Sequence, residues 1–176
     1  MALDVLSLNG KWSIRQVDEE QAPIALDGRV PGNVHAEMVE QNRLEDPYVR
    51  LNELDQQWVD RCTWQYERTI NLAADHLEHA RLVLCCDGID TLADVYVNDR
   101  QIASVDDMHI AWRWDVKEAL REGENTLRVV FPPLREELRR RFEEYWIDLP
   151  GNMNRDWHLE YRNFIRKSHT HGGWDW

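Results

Sequence analysis

The sequence has no long apolar run and comparatively little positive charge. No stretch approaches the ~20 consecutive apolar residues that a membrane-spanning helix needs. The start, from Met1 to Gly10, lacks the basic region followed by an apolar one that marks a secretory leader. Lys and Arg number 21 against 33 Asp and Glu, and the net charge of −12 would repel nucleic acid and anionic lipid. We therefore expect a cytoplasmic protein that binds neither nucleic acid nor membranes.

Cysteine is scarce as well, since the chain has three and no C-x-x-C pair. The odd number and the adjacent Cys85 and Cys86 argue against a disulfide framework, and we predict that these two and Cys62 are free thiols. Successive side chains of a strand point to opposite faces. One of Cys85 and Cys86 should therefore lie in the core and the other should face outward.

The chain is short for a multi-domain enzyme. Its 176 residues suit one domain, because chains divide into several domains only above roughly 250 residues. Hydrophobic residues make up 43% and charged residues 31%, a balance typical of a globular protein with a real core. We predict a single domain over residues 1–176.

Tryptophan, by contrast, is abundant, with nine residues. Indole often lines sugar-binding surfaces, because its apolar face stacks on pyranose C–H groups while its N–H donates a hydrogen bond. Trp58, Trp146 and Trp157 fall in predicted loops, where they could contact a ligand or another domain. Trp112 and Trp114 fall in a predicted strand, and for them we favour a core or edge position over a sugar platform.

Alternation of apolar and polar residues predicts a series of short strands separated by turns. The predicted strands cover 11–17, 64–72, 81–87, a hairpin of 92–98 and 101–105, 110–116, 126–131 and a short piece near 163–167. Helical spacing predicts a helix from the cap Asn33 to about 41, an amphipathic helix over 134–145 and a helical turn capped by Asn52. Many strands at hairpin spacing with few inserted helices favour an antiparallel β-sandwich of jelly-roll type over a parallel sheet.

Seven short motifs also occur in a fixed order along almost the whole chain. They are Leu8-Asn9-Gly10-Lys11-Trp12, Val30-Pro31-Gly32-Asn33-Val34-His35, Asp46-Pro47-Tyr48, Asn52-Glu53, Trp64-Gln65-Tyr66-Glu67-Arg68, Cys86-Asp87-Gly88-Ile89-Asp90-Thr91 and Gly172-Gly173-Trp174-Asp175-Trp176. The ordered set resembles the amino-terminal sugar-binding domain of β-mannosidases of glycoside hydrolase family 2. The closing Gly-Trp-Asp-Trp distinguishes this branch from the galactosidase and glucuronidase branches.

The resemblance implies a galactose-binding-domain-like jelly roll that packs against a downstream (β/α)₈ barrel and contributes to the mouth of its active site. It implies that the acid/base and nucleophile glutamates lie in that barrel, and that no metal or cofactor is needed. Three features depart from the family pattern: Gly172 stands where an aromatic residue is common, Asp107 stands where Asn is usual before Met108, and the closing strand does not follow Trp176. We expect residues 1–176 to lack the last strand of the domain, and the chain alone to be inactive.

Asp175, between Trp174 and Trp176, is the strongest candidate for substrate contact. A carboxylate flanked by indoles is poorly solvated unless it is paired, so it should accept hydrogen bonds from sugar hydroxyls or from a nearby Arg. In the family that the sequence resembles, the matching Asp reaches the subsite of the non-reducing mannose. We predict that Asp175, Trp174 and Trp176 bind substrate; the alternative for Asp175 is a structural bridge to the barrel.

Other candidate groups favour structural roles. Retaining glycosidases need two carboxyl groups about 5–5.5 Å apart, and Asn52-Glu53 imitates the Asn-Glu pair of the family's barrel. It falls in a predicted loop, so we assign Glu53 a capping or loop-fixing role and predict no catalytic residue in this chain. His169 and His171, with His158, have no recognisable third ligand spacing, so we predict structural histidines and no metal site. Acids and bases interleave over 135–144, which predicts a solvated helix face.

Two functions follow from these observations. The first is the non-catalytic amino-terminal domain of a retaining β-mannosidase, which helps to form the non-reducing-end sugar subsite. Its partners would be mannose-containing glycans or oligosaccharides and the downstream catalytic barrel. The alternative is a free-standing carbohydrate-binding module. Such a module should complete its sandwich and cover its rim, whereas this sequence ends in apolar indoles, which favours the first function.

Overall fold

A computed structural model describes residues 4–18, 23–145 and 161–168. The strands in these ranges are β1 (Gly10–Gln16), β2 (Ala25–Val30), β3 (Trp64–Leu72), β4 (Val83–Cys86), β5 (Ala93–Val97), β6 (Arg100–Val105), β7 (Trp112–Asp115) and β8 (Gly123–Phe131). The helices are α1 (Val34–Glu40), α2 (Asn52–Asp55), α3 (Ala74–Glu78) and α4 (Leu134–Glu144), and 3-10 turns cover Val59–Arg61, Lys117–Ala119 and Tyr161–Phe164. None of the helices in these ranges has the length and apolar character needed to cross a membrane.

The strands form two antiparallel sheets. The larger has six strands in the order β2-β1-β3-β8-β5-β6, and the smaller pairs β4 with β7. The ladder between β3 and β8 runs from Trp64 opposite Phe131 to Leu72 opposite Gly123. Strands β5 and β6 form a hairpin that turns at Asn98, whose φ of 54° lies in the left-handed region that Asn tolerates. The predicted mainly β, antiparallel class is confirmed.

Two apolar clusters form the core. The first joins the two sheets and contains Leu84 of β4 and Val95, Val97 and Leu127 of the larger sheet. Half-buried Trp112 and Trp114 of β7 pack against it, with ring centroids 5.8 Å apart and planes 9° apart, as expected for core or edge residues. The second cluster lies between β1, β2, β3 and α1 and consists of Ile14, Leu26, Met38, Val59, Cys62, Trp64 and Tyr66. The two sheets therefore form layers around a shared core.

Most of the predicted elements are confirmed. The strand over 64–72 matches β3 residue for residue, and the helix over 134–145 exceeds α4 by one residue. Strand β2 was not predicted, because one of its two buried positions is Gly28, which gives no apolar signal. A Cβ at Gly28 would collide with the Ile14 side chain, so the close approach of β1 requires glycine. The strand predicted near 163–167 is wrong: that segment has a 3-10 turn and one parallel bridge, between Asp107 and Arg166.

The cysteines also agree with expectation. All three are free; Cys85 is exposed, while Cys86 is half-buried against the first cluster. Burial raises the pKa of the Cys86 thiol to about 11, and the adjacent Cys85 acts in the same direction. A thiol with so high a pKa is a poor nucleophile at neutral pH.

Candidate functional site

The structure does not describe the predicted substrate-binding residues. Trp174, Asp175 and Trp176 lie outside the described ranges, as do Trp146, Trp157, His158, His169 and His171. Their roles stay predictions. Within the described ranges, no group of three or more His, Cys, Asp or Glu side chains is arranged to hold a metal ion.

The described residues instead form an open cleft at one side of α1. It has a volume of about 250 Å³ and is lined by His35, Pro47, Glu53, Gln56, Gln57 and Asp60. Three of the sequence motifs meet here, because His35 ends the first of them, Pro47 is central to the second and Glu53 completes the third. Residues separated by up to 25 positions along the chain thus share one surface depression.

Helix α1 is fixed at both its cap and its first turn. The Asn33 Oδ1 atom accepts a hydrogen bond of 2.9 Å from the Ala36 N–H, as expected of an N-cap. Buried Glu37 accepts a hydrogen bond of 3.0 Å through Oε1 from the Arg29 N–H of β2. These contacts attach α1 to the edge strand and hold His35, in the first turn, at the wall of the cleft.

The opposite wall is a loop that is braced by its own polar groups. Asp46 accepts a hydrogen bond of 2.9 Å through Oδ1 from the Tyr48 N–H, and the Asn52 side-chain amide donates one of 2.9 Å to the Asp46 carbonyl. The Gln56 amide donates to the Glu45 carbonyl at 2.6 Å. Asn52 is not the cap of α2, since Leu51 occupies that position without a side-chain bond. The loop-fixing role expected of Glu53 therefore belongs to Asn52, and Glu53 lines the cleft.

Several side chains around the cleft carry hydrogen-bonding groups. One Asp60 carboxylate oxygen, Oδ2, lies 3.2 Å from Nη2 of Arg135, while the other, Oδ1, is buried and has no hydrogen-bond partner. Desolvation by its neighbours lowers the pKa of His35, although the Asp60 charge acts in the opposite direction. A neutral imidazole has one donor and one acceptor, and glutamine amides have both. The cleft thus presents hydrogen-bond donors and acceptors together with apolar surface.

Helix α4 connects the cleft to the segment that leads toward the predicted substrate-binding residues. At its start, Arg135 pairs with Asp60; near its end, Arg141 donates a hydrogen bond of 3.2 Å to the Phe164 carbonyl. The Phe142 and Phe164 rings also pack edge to face, with centroids 5.9 Å apart and planes 88° apart. Helix α4 therefore contacts both regions.

The segment 161–168 is anchored further by two loops of the sandwich. Arg166 pairs with Asp107 at 3.3 Å, and Lys167 pairs with Asp90 at 2.7 Å. The His109 N–H and the Arg166 guanidinium both lower the pKa of Asp107, so this carboxylate, which departs from the family pattern, has a structural partner. These contacts hold the described residues that are nearest in sequence to Trp174.

Sequence reasoning missed His35, Gln56, Gln57 and Asp60 as candidates. His35 ends the motif that starts at Val30, and this position in an ordered motif is a signal that could have identified it. The two glutamines and Asp60 follow a motif without belonging to it, and only their packing around α1 brings them to the cleft.

Comparison with known proteins gives consistent matches. The family model described as glycosyl hydrolase 2 galactose-binding domain-like matches residues 12–176. A β-mannosidase B of Aspergillus terreus is 34% identical over 97% of this chain and 20% of its own length, and a β-mannosidase of Capra hircus is 31% identical over 97% and 19%. The crystal structure of a β-D-mannosidase from Dictyoglomus thermophilum is 33% identical, with a TM-score of 0.88 over 99% of this chain and 20% of that one. The chain spans about a fifth of the length of these relatives.

Proposed function

The chain belongs to the glycosyl hydrolase 2 galactose-binding domain-like family, and from this membership we propose that it is the non-catalytic amino-terminal domain of a retaining β-mannosidase. One observation carries the proposal: proteins named as β-mannosidases match nearly all of this chain with only a fifth of their own length. In this proposal the two-carboxylate machinery of a retaining glycosidase lies in the remainder of the parent protein.

In this proposal the parent enzyme hydrolyses terminal β-linked mannose in glycans or oligosaccharides, in the cytoplasm and without a metal or cofactor. The domain is a jelly roll that packs against a catalytic barrel. It contributes Trp174, Asp175 and Trp176 to the subsite of the non-reducing sugar. The cleft beside α1 supports this proposal, because its amide, carboxylate and imidazole groups can form hydrogen bonds with the hydroxyl groups of a sugar.

The first test asks whether the 176-residue chain has catalytic activity of its own. The purified 176-residue chain should not hydrolyse aryl β-mannosides above a buffer blank, whereas the parent enzyme should. Glu53→Gln is the matched variant, because Glu53 is the carboxylate whose motif imitates a catalytic pair. Turnover by the chain that disappears in Glu53→Gln would overturn the proposal. A reading frame that stops after Trp176, together with glycan binding by the chain, would favour a free-standing carbohydrate-binding module.

The second test addresses Asp175. In the parent enzyme, Asp175→Ala should remove a charge-assisted contact worth roughly 1.5–3 kcal/mol and lower kcat/KM by about 10- to 100-fold. Asp175→Asn should also be impaired, because half of the acceptor becomes a donor. Thermal stability should change little, since the lost partner is substrate. A variant that melts several degrees lower with wild-type kcat/KM would assign Asp175 to the domain interface instead.

A further inference from the structure

Four exposed apolar side chains lie within seven residues of the loop that forms one wall of the cleft. They belong to Tyr48, Val49, Leu51 and Leu54, with exposed fractions of 95%, 49%, 65% and 53%. We call them the apolar ledge. Single exposed apolar residues are ordinary, but a group of four that includes a nearly fully exposed tyrosine is typical of a surface that another protein covers.

The backbone of the apolar ledge is held in one conformation. In addition to the bonds around Asp46 described above, the Asn52 N–H donates to the Val49 carbonyl at 3.2 Å, and the Leu54 N–H donates to the Leu51 carbonyl at 2.9 Å. The polar groups of the loop therefore bond to the loop itself, while its apolar side chains are left to water. A preordered apolar surface loses little entropy on binding, which favours association.

The apolar ledge also borders the cleft. Pro47 and Glu53 line the cleft, and Tyr48, Val49 and Leu51 lie between them in the chain. A protein seated on the apolar ledge would therefore cover one wall of the cleft.

The charges around the apolar ledge indicate whether a second copy of the chain or a different protein surface could cover it. Within the segment 45–55, four exposed acids, Glu45, Asp46, Glu53 and Asp55, accompany one exposed base, Arg50, while exposed Arg43 and Arg61 lie just outside it. In a symmetric dimer the same patch meets itself, so these acidic rims would face one another and repel. The rim fits a partner with an apolar surface surrounded by basic groups.

We propose that the apolar ledge is the docking surface for the catalytic part of the parent enzyme. The proposal rests on the proposed function and adds the face through which the domain is attached. Relatives that match this chain continue for about four-fifths of their length outside the matched part, which supplies an occupant of sufficient size. Docking at this face places the cleft beside the catalytic part.

Hydroxyl-radical footprinting tests the proposal directly. Labelling of Tyr48 should be at least about fivefold slower in the parent enzyme than in the 176-residue chain, because the core of a protein interface is fully buried. Val83 is exposed on β4, in the smaller sheet, and serves as the internal control with equal labelling in both proteins. An active parent enzyme in which Tyr48 is labelled as fast as in the chain would overturn the docking proposal and leave the proposed function standing. A parent protein without β-mannosidase activity would overturn the proposed function instead.

A matched pair of triple variants gives the second measurement. Tyr48→Ser, Leu51→Ser and Leu54→Ser together should leave the melting temperature of the 176-residue chain within about 2 °C, because surface substitutions change stability little. In the parent enzyme the same variant should shorten the half-life of activity at elevated temperature by about tenfold or more, because apolar anchors carry most of the energy of an interface. The control, with Val5, Leu6 and Ile110 changed to Ser, should change neither. Protection of Tyr48 that rises with the concentration of the chain alone would assign the apolar ledge to a second copy and overturn the proposal.

Discussion

The start of β8 and the cleft loop use their polar side chains in opposite ways. Asn125 is fully buried, and its side chain makes four hydrogen bonds: it donates to the Arg121 and Gly123 carbonyls and accepts from the Arg121 N–H and the Asn98 amide. Asp60, in the cleft, has a buried oxygen with no partner. Buried polar groups are as a rule saturated, so the spare acceptor of Asp60, like the unpartnered buried atoms of Gln16 and Arg128, contributes less to folding than the Asn125 network.

The apolar side chains show the same division. Val95 and Val97 of β5 are 1% and 0% exposed in the core between the sheets, whereas Tyr48 in the apolar ledge is 95% exposed. Removing apolar area from water stabilises a fold by about 25 cal/mol per Å². The β5 residues therefore stabilise this domain, and Tyr48 can release that free energy only on contact with another surface.

Among variants that test this comparison, the largest loss of folding stability is expected at Asn125. Asn125→Ala removes all four hydrogen bonds and leaves buried backbone groups unpaired, and we expect a loss of roughly 3–5 kcal/mol in the free energy of unfolding. Urea denaturation of the 176-residue chain measures it. The control is Asn71→Ala, an exposed position on β3, which should cost under about 1 kcal/mol. Equal losses in the two variants would contradict the folding role of the Asn125 network.

The next effect is expected at the approach of β2 to β1. Gly28→Ala places a methyl group against Ile14, and overpacking of this kind costs about 1–3 kcal/mol. Gly88→Ala is the control, because a Cβ there would meet its nearest neighbour, the Met108 carbonyl oxygen, at an ordinary 3.6 Å. Adding Ile14→Val to Gly28→Ala should recover part of the loss. Purely additive losses in the double variant would refute the steric explanation.

A smaller effect is expected where α4 meets the cleft. Asp60→Asn keeps the shape of the side chain but removes the charge that faces Arg135, and a partly exposed ion pair contributes about 0.2–1 kcal/mol. A double-mutant cycle with Arg135→Gln should show coupling in that range, weaker at high salt because the pair is screened. A coupling above about 2 kcal/mol would mean that Asp60 serves folding as Asn125 does, and the comparison would fail.

The smallest effect is expected on the solvated face of α4. Hydrogen bonding from Arg140, with Arg141, lowers the pKa of Glu137 from its ordinary value of 4.5 to about 2. A carboxylate with a lowered pKa stabilises the folded state fully above its unfolded value and loses that contribution as the pH falls toward the folded value. The stability difference between the chain and its Glu137→Gln variant should therefore shrink between about pH 5 and pH 2, by no more than about 1 kcal/mol at this partly exposed site. A difference that is constant across this range would contradict the ion pairing.

The sequence predicted those elements whose pattern is local. Strand β3 was found because its apolar residues alternate, and α1 was found because Asn33 stands where a cap is needed. Strand β2 was missed because one of its two core positions is a glycine, and the helical turn at Asn52 was found but assigned the wrong cap. No sequence pattern indicated the apolar ledge. Alternation rules assign apolar residues to the core, and they cannot identify the apolar residues that a fold leaves exposed.

By itself, the sequence determined the family, through an ordered set of motifs, and the antiparallel class, through short-range alternation and turns. Only the tertiary structure decided that His35 and Asp60 share a cleft, that Arg135 pairs with Asp60 and that Tyr48 remains exposed. The physical reason is the distance along the chain over which each kind of interaction acts. Caps and alternation depend on neighbours a few residues away, whereas burial and ion pairing depend on which distant segments pack together, and no local pattern records that packing.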